Sequence, residues 1–87
     1  MRKKKEEKTT KVFLVKSFND MKEICMHIKE NYIVIVNVNN VHHKTRYIDF
    51  ISGFTYAYNG KREKIEDNIF SFQIMWLIDL LVRIIIV

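Results

Sequence analysis

The 87-residue sequence contains no proline, two glycines and a single cysteine. Without proline or a glycine-rich stretch there is no signature of an internal linker, and this length accommodates one domain. One cysteine excludes an internal disulfide, so no covalent bridge can compensate for a small core. A chain this short buries only about 60% of the surface it exposes when unfolded, which makes self-association the natural further source of stability. Cys25 sits among apolar residues and reads as a buried free thiol in a reducing cytoplasm. Residues 1–11 begin with charge but have no apolar run behind them, so no secretory signal is expected.

Chemistry-bearing motifs are equally sparse. There is no glycine-rich phosphate loop. Glu63, Glu66 and Asp67 fall in a charged hairpin, the setting of solvated surface carboxylates. Cys25 and His27 lie two apart on a helix and point to different sides, and His42-His43 is no better placed for joint coordination. Neither an enzyme, a cofactor nor a metal site is expected. The net charge of +5 is concentrated in Arg2, Lys3, Lys4, Lys5, Lys8 and Lys11, offset locally by Glu6 and Glu7. Residues 1–10 therefore read as a basic, flexible, solvated arm, and the remainder as nearly balanced.

What is present is patterned. Residues 12–15 form a short β-type apolar run bounded by Lys11 and Lys16, which predicts a strand. Ser17 offers a helix N-cap, with Asp20 serving the first turn. Phe18, Met21, Ile24, Cys25 and Ile28 then recur at helical spacing until Asn31, a plausible stop. Residues 32–38 are β-branched and apolar on both faces, predicting a central strand. Asn39 and Asn40 break that strand and offer caps for a second helix over 41–52. In it Tyr47, Ile48 and Ile51 make an apolar stripe, with Lys44 towards one edge and Phe50 to the other side. Gly53 is placed as the left-handed terminus of that helix.

Residues 54–58 alternate aromatic and small side chains and read as a strand. Asn59-Gly60 is then a two-residue hairpin turn into a strand over 62–65. Asp67-Asn68 marks a second turn, and 69–73 the last strand. The expected order is βαβαβββ, an α/β (α+β sandwich) fold.

At Asp49-Phe50-Ile51-Ser52-Gly53 the chain resembles SepF proteins. These carry a helix ending in Asp-Phe-x-Ser/Ala-Gly, an aromatic strand, a glycine turn and a strand beginning Ile-Phe, here Ile69-Phe70. Residues 32–38 with Asn37, and 17–20, match the family's Val-Val-Val-Asn-Leu strand and Ser-Tyr-Glu-Asp helix start. The resemblance covers 11–73, the expected core domain. It implies two helices on one face of a roughly five-stranded sheet, and homodimers that associate into polymers. It also implies a cell-division adaptor, recruited to the division site, that binds the C-terminal peptide of FtsZ. Carried onto this sequence, Lys44 and Phe50 would contact that peptide, with Tyr47 and Ile51 beside them and Gly53 at a self-association surface. The family's usual N-terminal amphipathic helix has no counterpart in residues 1–11, so membrane targeting by that route is not expected.

An RNA-binding α/β domain is the alternative, because residues 53–58 resemble the aromatic strand of an RNA-recognition domain in a basic chain. Against it, Ser52 stands where a basic residue belongs, and the strand would directly follow a helix. No nucleic-acid partner is expected. Residues 74–87 carry only Asp79 and Arg83 as charges. As a helix they would rise about 21 Å, short of the roughly 30 Å hydrocarbon core. They read as a membrane-surface or partner-facing segment, with Trp76, Leu77, Leu80, Leu81 and Ile84 as candidate contacts. The competing expectation is that this tail extends the sheet.

Overall fold

In the computed structural model, residues 9–74 are described. The greater part of the expected basic arm and the candidate membrane contacts Trp76, Leu77, Leu80, Leu81 and Ile84 lie outside the described residues. Thr10, placed in the arm from sequence, already belongs to the first strand.

β1 (Thr10–Leu14) pairs in parallel with β2 (Ile33–Asn37), Thr10 opposite Ile33 and Leu14 opposite Asn37. A parallel pair needs a crossover, and α1 (Met21–Lys29) supplies it. Its entry is fixed by Asp20, whose Oδ2 accepts from the backbone N–H of Lys16 at 2.7 Å and of Ser17 at 3.2 Å. Ser17 Oγ in turn accepts from Asn19 N–H. Met21, Ile24, Cys25 and Ile28 are the buried stripe of α1, as the spacing predicts. Phe18, assigned to the same stripe, instead lies in a 3-10 turn (Phe18–Asp20) and is exposed. Asn31, with φ 74°, ends α1 in the left-handed region; the N–H groups of Asn31 and Tyr32 reach back to the carbonyls of Ile28 and His27.

The second helix departs from expectation at both ends. α2 runs over Lys44–Ala57, so it starts after His43 rather than at Asn39 or Asn40 and continues through Gly53. Asn39 and Asn40 form a turn instead, in which Asn37 Oδ1 accepts from Asn39 N–H at 2.8 Å. Residues 54–58 are not a strand. Their aromatics sit at helical spacing: the Phe54 and Tyr58 rings are 5.0 Å apart, an (i, i+4) contact. Ser52 and Thr55, polar yet buried, turn their hydroxyls onto the carbonyls of Ile48 and Ile51 and so enter the core side without an unmade hydrogen bond. Gly53 has no positive φ, and a Cβ there would meet nothing within 4 Å, so the left-handed terminus expected of it is overturned. That role falls to Asn59, φ 61°, after which Gly60 N–H bonds Thr55 O and Asn59 N–H bonds Tyr56 O. Asn59-Gly60 is thus a helix stop and not a hairpin turn.

The remaining hairpin is β3 (Lys61–Glu66) and β4 (Ile69–Gln73), antiparallel, with the register shifting between Lys64 and Glu66. β4 also pairs antiparallel with β2, giving a four-stranded sheet of order β1-β2-β4-β3. The order is βαβαββ, one strand fewer than expected, because the strand expected over 54–58 is the end of α2.

Strand alternation then divides the sheet. Val34, Val36 and Phe72 point to the helix side and close the core with Val15, Ile24, Ile28, Val38 and Ile51, all 0% exposed. Full burial of each such side chain contributes roughly 1.5–3 kcal/mol. Val12, Leu14, Ile33, Ile35 and Ile69 lie on the opposite face, by the same register. α1 and α2 touch each other and share the core side.

Candidate functional site

α2 carries all the residues singled out from sequence for peptide contact, and helical geometry separates them. Lys44 and Phe50 are six positions apart, which at about 100° per residue sets them about 120° apart around the axis. Ile51 is fully buried in the core and presents no surface to a partner. Lys44 is half-buried, and its Nζ donates to Val41 O at 3.1 Å. It lines a depression of about 540 Å³ between α2 and the β3–β4 hairpin, together with Asp49, Arg62, Lys64, Asp67 and Phe70. Arg62 lies over the Phe70 ring and donates to Ser52 Oγ at 3.1 Å, while Lys64 pairs with Asp67 at 3.4 Å. Two of the cations there are therefore already engaged within the chain.

Phe50 lies on the other flank. It is 47% exposed and meets Phe18, itself 42% exposed, edge to face with centroids 5.1 Å apart. Tyr47 closes on the same ring at 5.5 Å, and the Arg46 guanidinium carbon sits 5.8 Å from its centroid. Phe18 and Phe50, with Asn19, Met21, Lys22, Cys25 and Phe54, line a depression of about 450 Å³ between the start of α1 and the middle of α2. No carboxylate is among its lining residues. Burial pushes the Cys25 thiol above its ordinary pKa, so the floor of the depression is uncharged at neutral pH. Exposed aromatics around an apolar concavity, with cations at the rim, suit an apolar side chain carried on an acidic peptide.

Thus Tyr47 and Phe50 are brought together, Lys44 faces a different depression, and Ile51 is core. Sequence reasoning missed Phe18, Phe54, Arg46 and Lys22 as site residues. The signal for two of them is regular: Arg46 and Phe54 flank Phe50 at intervals of four residues. It becomes legible only once α2 is extended through Ala57.

A family model described as "Cell division protein SepF" matches residues 11–73. The chain belongs to the SepF family. Among curated relatives named cell division protein SepF, that of Heliobacterium modesticaldum is 42% identical over 73 residues, covering 82% of this chain and 44% of the relative. That of Acetivibrio thermocellus is 41% identical over 56 residues, 62% of this chain and 36% of its own length. This SepF-family chain thus spans less than half the length of these relatives. A SepF-like protein from Pyrococcus furiosus superposes with a TM-score of 0.61 at 19% identity, covering 79% of this chain and 88% of that one. The fold, two helices on a mixed sheet, is therefore that of SepF-like proteins, and the family role is in cell division.

The RNA-binding alternative loses its motif. Residues 53–57 are helical, and Phe70 and Phe72 face the core rather than the open side of the sheet. The open face offers aliphatic side chains where stacking on bases would need rings. Among the described residues no helix is long and apolar enough to cross a membrane.

Proposed function

We propose that this chain is a non-enzymatic division adaptor that binds the C-terminal peptide of FtsZ in the depression between α1 and α2. It acts as a homodimer or larger assembly at the division site. Family membership supports the division role, and one observation supports the docking surface: Phe50 and Phe18 stand nearly half exposed against each other beside an apolar concavity. Keeping two phenylalanines in water has no benefit to an isolated fold, whereas burying them under a peptide is favourable. Phe50 is well suited as the dominant contact because it is already held by a neighbouring ring and loses little freedom on binding.

The test is titration of the purified protein with a synthetic C-terminal peptide of its host's FtsZ. Phe50→Ala should weaken binding by about 2 kcal/mol or more while leaving the melting curve close to wild type, since the side chain lies outside the core. Absence of binding by the wild-type chain at near-millimolar peptide would defeat the proposal.

A further inference from the structure

The open side of the sheet is divided. By register, Val12, Leu14, Ile33, Ile35 and Ile69 make an aliphatic area across β1, β2 and the start of β4. Ser71, Gln73, Lys61 and Glu63 make a polar one across the rest of β4 and β3. Val12 and Leu14 are exposed, and the three isoleucines are half-buried. A contiguous aliphatic area bordered by polar side chains marks a surface that is covered in use. The free edges of the sheet are unequal too. β3 carries Lys61, Arg62, Glu63, Lys64 and Glu66 with a register shift near its end, which guards an edge against pairing. β1, the other edge, borders the aliphatic area.

The chain leaves the described fold at the rim of that area. Phe72 pairs with Val34, so Gln73 ends β4 beside Ile33. Ile74 packs against the core, and Gly60, just past α2, stands against Gln73 and Ile74. The helix side is thus filled at this point, and β2 and β3 already flank β4. Residues 75–87, outside the described residues, carry Asp79 and Arg83 as their only charges. Thirteen residues span about 20 Å as a helix or about 43 Å extended, and a four-stranded sheet is about 14 Å between its outer strands. The open side is within reach in either form.

We infer that residues 75–87 lie over the aliphatic area within the same chain and close the second face of the sheet. Each apolar side chain laid on Val12, Leu14, Ile33 or Ile35 removes apolar surface of both groups from water. A second copy of the chain could offer similar surface, but a segment tethered at the rim acts at an effective concentration in the millimolar range. The tethered occupant therefore wins at the concentrations at which separate copies meet. Trp76, Leu77, Leu80, Leu81 and Ile84, singled out above as candidate membrane contacts, then serve the sheet instead. The cover also competes with other copies for this side of the fold.

The experiment uses the full chain carrying Cys25→Ala and pairs Leu81→Cys with either Val12→Cys or Met26→Cys. Val12 is exposed on the open side and Met26 on α1. After mild oxidation the first pair should close a disulfide within one chain, seen as monomer mass with no free thiol, and the second should not. In parallel, Trp76, the one tryptophan, reports on the segment without any substitution. Its emission should be blue-shifted relative to the same chain in urea, and unchanged over about a hundredfold dilution, because the contact is intramolecular. Val12→Lys with Leu14→Lys should shift the emission to the red and increase its quenching by iodide, with circular dichroism close to wild type. Phosphatidylglycerol vesicles should leave the wild-type emission unchanged. Disulfides formed only between chains would assign the area to a second copy and overturn the inference. So would equal closure by both cysteine pairs, or native emission no bluer than that in urea. A blue shift that requires vesicles would give the segment to a lipid surface and overturn it as well.

Discussion

At the scale of single residues, both glycines depart from the roles that the sequence suggests for them. Gly53 lies in the interior of α2 with open space where its Cβ would be. Gly60 is the constrained one: a Cβ there would fall 2.6 Å from Thr55 Cγ2 and against the Gln73 carbonyl. Neither has a positive φ, so the constraint at Gly60 is close approach and not handedness. Gly53→Ala should therefore stabilise the protein by about 0.5–1 kcal/mol, through helix propensity alone. Gly60→Ala should destabilise it by about 1–3 kcal/mol, because backbone has to move. Urea denaturation of both variants checks the pair, and the opposite order of midpoints would reject it. Cys25 supplies a local reporter. With its pKa raised by burial, less thiolate exists at any given pH than in an unstructured peptide. Its alkylation at pH 8 should be slower than that of a free thiol and should accelerate only as pH rises beyond the ordinary thiol range. Saturating FtsZ peptide should slow it further, since Cys25 lines the proposed docking depression. A rate indifferent to peptide would place the peptide elsewhere.

At the scale of elements, β1, α1, β2 and β4 were legible from the sequence because each has a single dominant period and clear ends. The stretch from Ser52 to Tyr58 was not, for a physical reason. Phe54, Tyr56 and Tyr58 satisfy a period of two, while Phe50, Phe54 and Tyr58 satisfy a period of four. Ser52 and Thr55 on the core side disguise the helical stripe, since their hydroxyls are acceptable there only by bonding back to the preceding turn. Asn59-Gly60 carries the same ambiguity, because a left-handed Asn serves a helix end as well as a hairpin. Misplacing that boundary put Phe54 in a strand and so out of the site. Lys44 was joined to Phe50 by the family resemblance alone, the helical pattern already setting them on different sides. The helix stop can be tested directly. Asn59 holds φ 61°, which glycine adopts freely and alanine does not. Asn59→Ala should cost about 1 kcal/mol, whereas Asn59→Gly should be within about 0.5 kcal/mol of wild type. Were this a hairpin turn with strands on both sides, far-ultraviolet dichroism would show less helix than the two helices require.

At the scale of the whole molecule, the helices cover one face of the sheet and none among the described residues covers the other. That open face carries Val12, 70% exposed and opposite Ile35 on the neighbouring strand, and Leu14, 46% exposed and opposite Asn37. A single-layer core of this size gives a marginal monomer, and burying a second aliphatic face is the economical remedy. The surface around Gly53, proposed from the family resemblance for self-association, lies on α2 and belongs to the helical side. The two locations make separable predictions. The wild-type chain should sediment as a dimer or larger species at tens of micromolar. Val12→Lys combined with Leu14→Lys should shift it towards monomer if copies meet sheet to sheet, and both side chains are exposed enough for the fold to survive the change. Gly53→Lys should do so if copies meet along α2, and its folding is safe because nothing stands within 4 Å of its Cβ position. A wild-type monomer with an undiminished melting transition would sink self-association altogether. A dimer untouched by either variant would move the contact off both surfaces. If Gly53→Lys alone yields monomer and peptide binding falls with it, the α2 contact and the Phe50 depression are parts of one surface, because the two residues lie one helical turn apart.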